Sequence, residues 1–180
     1  MVNILGLVGV GVSGLALLFA ILATSLAYWE TAKFNTVSAD GGVIDVHVGI
    51  WKSCAETDGN KVCYDIDTDR VIIHAESLLG YNTVRTTIIL GIIFTASAIV
   101  PAILVMFVLQ TKKVLYSVAA GLNVAAGLFL MTAMAVFAGG VAHDGYDFNL
   151  GACFALDIIA WLAAWVGGGL FVGAKLTEKQ

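Results

Sequence analysis

Four apolar stretches, at about 4–28, 86–109, 114–138 and 152–174, constrain this chain more than any other feature. Each is long enough to cross a hydrocarbon core of ~30 Å as a helix. A helix satisfies its own backbone polar groups, so four passes are the simplest fold available in lipid. The mean hydropathy is +0.93 and only 12% of the 180 residues are charged, too little polar surface to cover four such helices in water. The first stretch lacks a basic leader segment and is longer than the apolar part of a signal peptide, so it reads as an uncleaved signal-anchor helix.

Positive charge sets the expected orientation. Lys112 and Lys113 lie between the second and third stretches, and Lys175 and Lys179 follow the fourth. Both termini are therefore expected in the cytoplasm, with 29–85 and 139–151 outside. Between residues 30 and 85 there are nine acids against five bases, and Asp144 and Asp147 add negative charge to the second outer loop. Such a surface attracts cations or a basic partner, and it also keeps an exposed loop soluble. No basic patch suggests nucleic-acid binding.

The first outer segment has strand patterning. Residues 41–51, GGVIDVHVGIW, alternate over Val43, Asp45, His47 and Gly49, and residues 61–66, KVCYDI, form a shorter second run. Asp58, Gly59 and Asn60 supply turn formers between them, which predicts a hairpin. A hairpin alone is marginal, so further pairing, using 33–38, and packing on the membrane helices are expected. Cys54 and Cys63 flank the turn with eight residues between them, a spacing that suits an intra-loop disulfide outside the cell. Zinc would need two further ligands, and this loop offers only His47 and His74; thiol-disulfide catalysis lacks its close cysteine pair. Cys153 is expected to stay unpaired. Trp29 reads as an anchor at the water–lipid boundary, and Trp51 as a wedge between sheet and helices.

The order Trp29, then Gly49-Ile50-Trp51, then Cys54 and Cys63 resembles the signature of the tetraspan superfamily that joins the claudins to the peripheral myelin and epithelial membrane proteins. Ile50 replaces the usual leucine, and Arg85 resembles the family's arginine at the outer end of the second span. The resemblance covers the whole four-span layout. It implies one domain over 1–180: a left-handed, membrane-embedded all-α four-helix bundle with a small extracellular antiparallel β-sheet. In claudins the outer loops make contacts within and between membranes, and first-loop charges line paracellular pores. Relatives organise membranes or modulate ion channels. The second outer loop is short, and the ending TEKQ lacks the hydrophobic peptide by which many claudins bind PDZ scaffolds. The Tyr146, Phe148 and Gly151 pattern resembles several branches.

Within the stretches, Gly6, Gly9, Gly11, Gly14, Gly121, Gly127 and Gly167 to Gly169 suit close helix packing. Pro101 is a candidate bend. Asp157 is an intramembrane carboxylate expected to face a polar partner, water or the bundle interior, either structural, through an internal hydrogen bond or a shift of the helix toward the interface, or on a cation or proton path. Arg85 reads as a structural latch onto a loop acid or backbone carbonyls.

No catalytic, phosphate-binding or metal-binding spacing is present, and no cofactor is expected. The preferred reading is a plasma-membrane, cell-junction adhesion and barrier protein that contacts itself in cis and trans. If it forms a paracellular path, Asp45, Asp65, Asp67 and Asp69 would favour cations. The alternative is an auxiliary subunit of a larger channel or receptor, or a membrane organiser. Fold is shared across these roles, so it does not choose among them.

Overall fold

Inside a membrane a helix gains little by hiding leucine, because lipid is equally apolar; it gains by close packing. The computed structural model, which describes residues 3–35, 43–66, 75–141 and 149–177, follows that rule. Helix α1 (Ile4–Ser25) buries Gly6, Gly9, Ser13, Ala16, Ala20 and Ala23. Helix α3 (Val114–Val136) buries Tyr116, Ala119, Asn123, Ala126, Leu130 and Ala133. Helix α4 (Ala152–Thr177) buries Cys153, Asp157, Ala160, Ala164, Gly167, Phe171 and Ala174. Steps alternating between three and four make a repeat of about 3.5 residues, the period that keeps a seam inward on helices winding left-handedly.

Many large aliphatic side chains point the other way. Leu7, Leu15, Leu18, Val118, Leu128, Ile159 and Val166 are all exposed. An outside this apolar is unsustainable in water and natural in lipid, and all four helices are long and apolar enough to span. The protein is a multi-pass membrane protein.

Helix α2 (Ala75–Phe107) has 33 residues and continues through Pro101 to its end. At 1.5 Å per residue it is roughly 50 Å long, well beyond the hydrocarbon core. Its first turns stand under the sheet, where Tyr81 and Arg85 lie. Helices α1 and α3 each pack against α2 and α4 and sit diagonally across the bundle. Asn3 accepts from the backbone N–H groups of Leu5 and Gly6 and donates to the Ala174 carbonyl at 3.0 Å, so one residue caps α1 and ties it to the end of α4. Lys175 donates to Ser117 Oγ at 2.7 Å at the same end.

The opposite end carries a five-stranded antiparallel sheet: β1 (Glu30–Asn35), β2 (Val43–Val48), β3 (Lys52–Thr57), β4 (Asn60–Asp65) and β5 (Asn149–Leu150), in the order β4-β3-β2-β1-β5. The hairpin differs from the sequence expectation. The run 41–51 breaks after Val48, and β4 pairs with β3, the unpredicted segment Lys52–Thr57. Asp58 and Gly59, with φ of 51° and 80°, make a tight turn whose twist suits a two-residue hairpin. A short π-helical turn, Phe137–Val141, follows α3.

Not every glycine in the spans is there for contact. A Cβ on Gly9 would lie 2.7 Å and 2.9 Å from the Phe171 ring, whereas Gly11, Gly14, Gly121 and Gly169 have nothing within 4 Å of that position. Gly9→Ala should therefore lower stability by about 1–3 kcal/mol through overpacking, whereas Gly11→Ala should stay within ~0.5 kcal/mol. Thermal unfolding of both variants in the same detergent measures the difference.

Candidate functional site

The sheet is joined to the bundle along one seam, and Trp29 is at its centre. The side chain is 0% exposed, and its indole N–H donates to the Ala23 carbonyl at 2.7 Å, taking up an acceptor in the last turn of α1. Its ring lies 4.8 Å from that of Phe137 and meets Phe154 edge-on at 6.2 Å. Its backbone N–H donates to the Val48 carbonyl, and its carbonyl accepts from Gly151, both at 2.8 Å. One residue thus joins α1, β2, α4 and the π-helical turn after α3.

Trp51 plays the other part. It is 39% exposed, and the Arg85 guanidinium sits over its ring at 4.7 Å. Trp29 is thus the fully buried wedge between sheet and helices, whereas Trp51 meets α2 through Arg85 and is otherwise partly exposed. The physical reason lies in the chain path. Trp29 follows α1 within a few residues and has α3 and α4 beside it, whereas Trp51 lies in the turn between β2 and β3, where Ile50 takes the buried position.

That turn depends on Gly49. A Cβ there would lie 2.6 Å from Ala27 Cα, so only glycine lets the turn approach the end of α1 without displacing backbone. The Gly49 N–H donates to the Lys52 carbonyl at 2.8 Å, and the Ile50 carbonyl accepts from Arg85 Nε at 2.8 Å. Arg85 is 6% exposed; Nη1 also reaches Asn82 Oδ1 at 3.3 Å, and the guanidinium stands 5.9 Å from the Tyr81 ring. On the far side, Gly151 fits against Tyr28 where a Cβ would strike that residue's carbonyl oxygen. The Tyr28 carbonyl accepts from Cys153 N–H at 2.9 Å.

Cys54 and Cys63 are register partners on β3 and β4 and are disulfide-bonded. Cys153 is a free, buried thiol. Glu30, Ala32, Val46 and Val48 share the sheet face toward the bundle, and Val46 and Val48 pack with the core around Trp29. Lys33, Asp45, His47, Glu56 and Lys61 occupy the other face. There Asp45 stands between Lys33 and Glu56, Glu56 is opposite Lys61, and Lys52 is opposite Asp65. Lys33 and Asp45 approach to 3.4 Å, and Lys52 and Asp65 to 3.7 Å; these ion pairs at partly to largely exposed positions contribute little stability, yet they offset the acids' charge locally. Tyr28 lies 4.6 Å from the His47 ring and 5.8 Å from Lys61 Nζ. Asp67, Asp69, His74, His143, Tyr146 and Phe148 lie outside the described residues.

Asp157 faces the bundle interior and is 0% exposed, with neither carboxylate oxygen hydrogen-bonded among the described residues. A polar contact that sequence reasoning missed is Asn123 Nδ2 to Ser13 Oγ, 2.8 Å long and fully buried between α3 and α1. Its signal was an asparagine in an apolar stretch, a residue type that seeks a partner in lipid. Among the described residues no three His, Cys, Asp or Glu side chains gather to hold a metal ion.

Four lipid-spanning helices and a disulfide-closed sheet fixed to one end by tryptophan, glycine and arginine define a tetraspan membrane protein. Over residues 1–171 the chain matches the PMP-22/EMP/MP20/Claudin family, and it belongs to that family. No match to a curated protein was found. Membership gives it a membrane-organising or adhesive role in general terms, and the family consists of structural and adhesion proteins rather than enzymes.

Trp29→Phe keeps most of the ring and removes the N–H, leaving the Ala23 carbonyl without its side-chain donor. Arg85→Met does the same to the Ile50 carbonyl. Each should cost about 1–3 kcal/mol. Replacing both Cys54 and Cys63 by Ser should cost about 2–4 kcal/mol. Unfolding midpoints in one detergent, with and without reductant, check all three; reductant should move only proteins that retain the disulfide.

Proposed function

We propose that the protein is a claudin-like adhesion and paracellular barrier protein of the plasma membrane, with both termini cytoplasmic and the sheet outside. The observation that carries this reading is the sheet held firmly on the bundle by Trp29, Gly49 and Arg85, with a charged face directed away from it. A surface fixed in that way can meet a second surface repeatedly in the same geometry, as lateral and cell-to-cell contacts require. The orientation is supported by Lys175, which lies at the end of the bundle remote from the sheet, and by Lys112 and Lys113 between α2 and α3.

Barrier is favoured over cation pore by the register. Asp45 and Asp65 were the described acids expected to select cations, and each has a lysine directly across from it. The charges on that face are balanced in rows, which weakens the field available to concentrate cations.

A second reading, an auxiliary subunit beside a channel or receptor, is favoured by β4. It lies at the sheet edge, with Val62 and Tyr64 about half exposed, and an edge strand with apolar side chains can accept pairing from another ectodomain.

Expression in cells without junction strands tests both readings. The barrier reading expects enrichment where two expressing cells touch and reduced ion flux across the monolayer. Uniform surface distribution, unchanged flux and co-purification of one channel would replace it with the auxiliary reading. The charge rows add a finer expectation. Removing Lys33 or Lys52 by alanine substitution should shift the cation-to-anion permeability ratio upward by up to about twofold each, the scale of one exposed charge interaction. Replacing Asp45 or Asp65 by Asn should shift it downward.

A further inference from the structure

The large exposed side chains of α1 form a track along one side of the helix. Leu15, Leu18, Ile21 and Leu22 are all exposed, and one turn further on come exposed Ser25 and Leu26. Spacings of three and four keep these residues on neighbouring parts of one face. In a bilayer that face is covered by acyl chains, which lead along α1 to the level of Ser25 and Leu26.

At that level lies a groove of about 220 Å³, lined by Ser25, Leu26, Ala27, Gly49, Trp51 and Lys52. Beside it the β2–β3 turn meets Ala27 so closely that a Cβ on Gly49 would lie 2.6 Å from Ala27 Cα. The groove's floor is apolar, and its rim carries two different recognition elements. Trp51 offers a partly exposed indole of the kind that settles at a lipid headgroup, with the Arg85 guanidinium already 4.7 Å from its ring. Lys52 holds an ammonium, and Asp65 places a carboxylate 3.7 Å from it, with both side chains more than half exposed. A positive and a negative group held side by side, next to an indole at the end of a transmembrane helix, complement an ionic head that itself bears both charges.

We propose that this groove binds the headgroup of a zwitterionic choline phospholipid. Its tails lie on the Leu15, Leu18 and Ile21 track, its phosphate meets Lys52, and its quaternary ammonium lies beside Asp65, with the Trp51 indole flanking the headgroup. The occupant is a lipid because the groove is continuous with the face of α1 that the bilayer covers. A soluble phosphate would leave the apolar floor and the track empty. The bound lipid would bridge α1 to the β2–β3 turn, so the membrane itself would help hold the sheet.

Native mass spectrometry of the full chain released from detergent micelles provides the test, with phosphatidylcholine and diacylglycerol of the same acyl chains as competing probes. Phosphatidylcholine should be retained in preference to diacylglycerol. Lys52→Ala should reduce that retention by about two- to fivefold, the span of one exposed charge contact. Leu26→Trp, which fills the groove from an exposed position, should abolish the preference, while its unfolding midpoint in lipid-free detergent stays that of the parent. Equal retention of the two probes by the parent protein would overturn the proposal. So would a preference unchanged in both variants. If instead both substitutions alter the dimer fraction and leave the lipid adduct unchanged, the groove belongs to a second copy of the chain and the proposal also falls.

Discussion

The hydrogen bond from the Trp29 indole to the Ala23 carbonyl is the point on which the two halves of the molecule depend. A helix ends with carbonyls that lack backbone donors, and in a membrane protein the end of a span is where those groups must find partners. Most helices leave that task to interfacial water. Here an indole that is itself part of the sheet's backbone network performs it, so finishing α1 and starting β1 are one event. The aromatic contacts to Phe137 and Phe154 then fix the ring from the other side of the bundle.

Packing below that seam follows a different rule from packing within it. In the spans, small residues, some fitted against buried rings such as Phe171, and the buried Asn123–Ser13 contact set the distances between helices. At the seam, large rings and one guanidinium fill the space between sheet and helices. The change of rule coincides with the change of surroundings. Within lipid, apolar bulk gives no advantage to the interior, whereas near water aromatic bulk is worth hiding.

The four spans were legible because lipid demands long uninterrupted apolar runs, and little else produces them. The Asp58-Gly59 turn was legible because its backbone needs residues that tolerate positive φ. Strand β3 was not, since Lys52, Ser53, Glu56 and Thr57 carry little apolar alternation and the strand is specified by its neighbours on both sides. The full burial of Trp29 was not legible for a related reason. An indole beside a span looks the same in sequence whether lipid or protein surrounds it, and the deciding rings, Phe137 and Phe154, lie more than a hundred residues along the chain. Asp157 could be assigned to the interior from polarity alone, but its lack of a hydrogen-bonding neighbour among the described residues is a property of the folded bundle. Of the acids expected to select cations, Asp45 and Asp65 show how register overrides a count of charges, because each stands opposite a lysine.

The fifth strand has a consequence in time. Asn149–Leu150 pairs with β1 although α2 and α3 intervene in the chain, and Trp29 rests against Phe154 at the start of α4. During synthesis, therefore, the first loop can close its own hairpins early but cannot complete its sheet or cover its tryptophan until the last helix arrives. A chain halted before that stage presents an uncovered indole and an unpaired strand edge, features that promote aggregation and attract chaperones. Completion of the sheet thus waits for the last of the four helices to be in place.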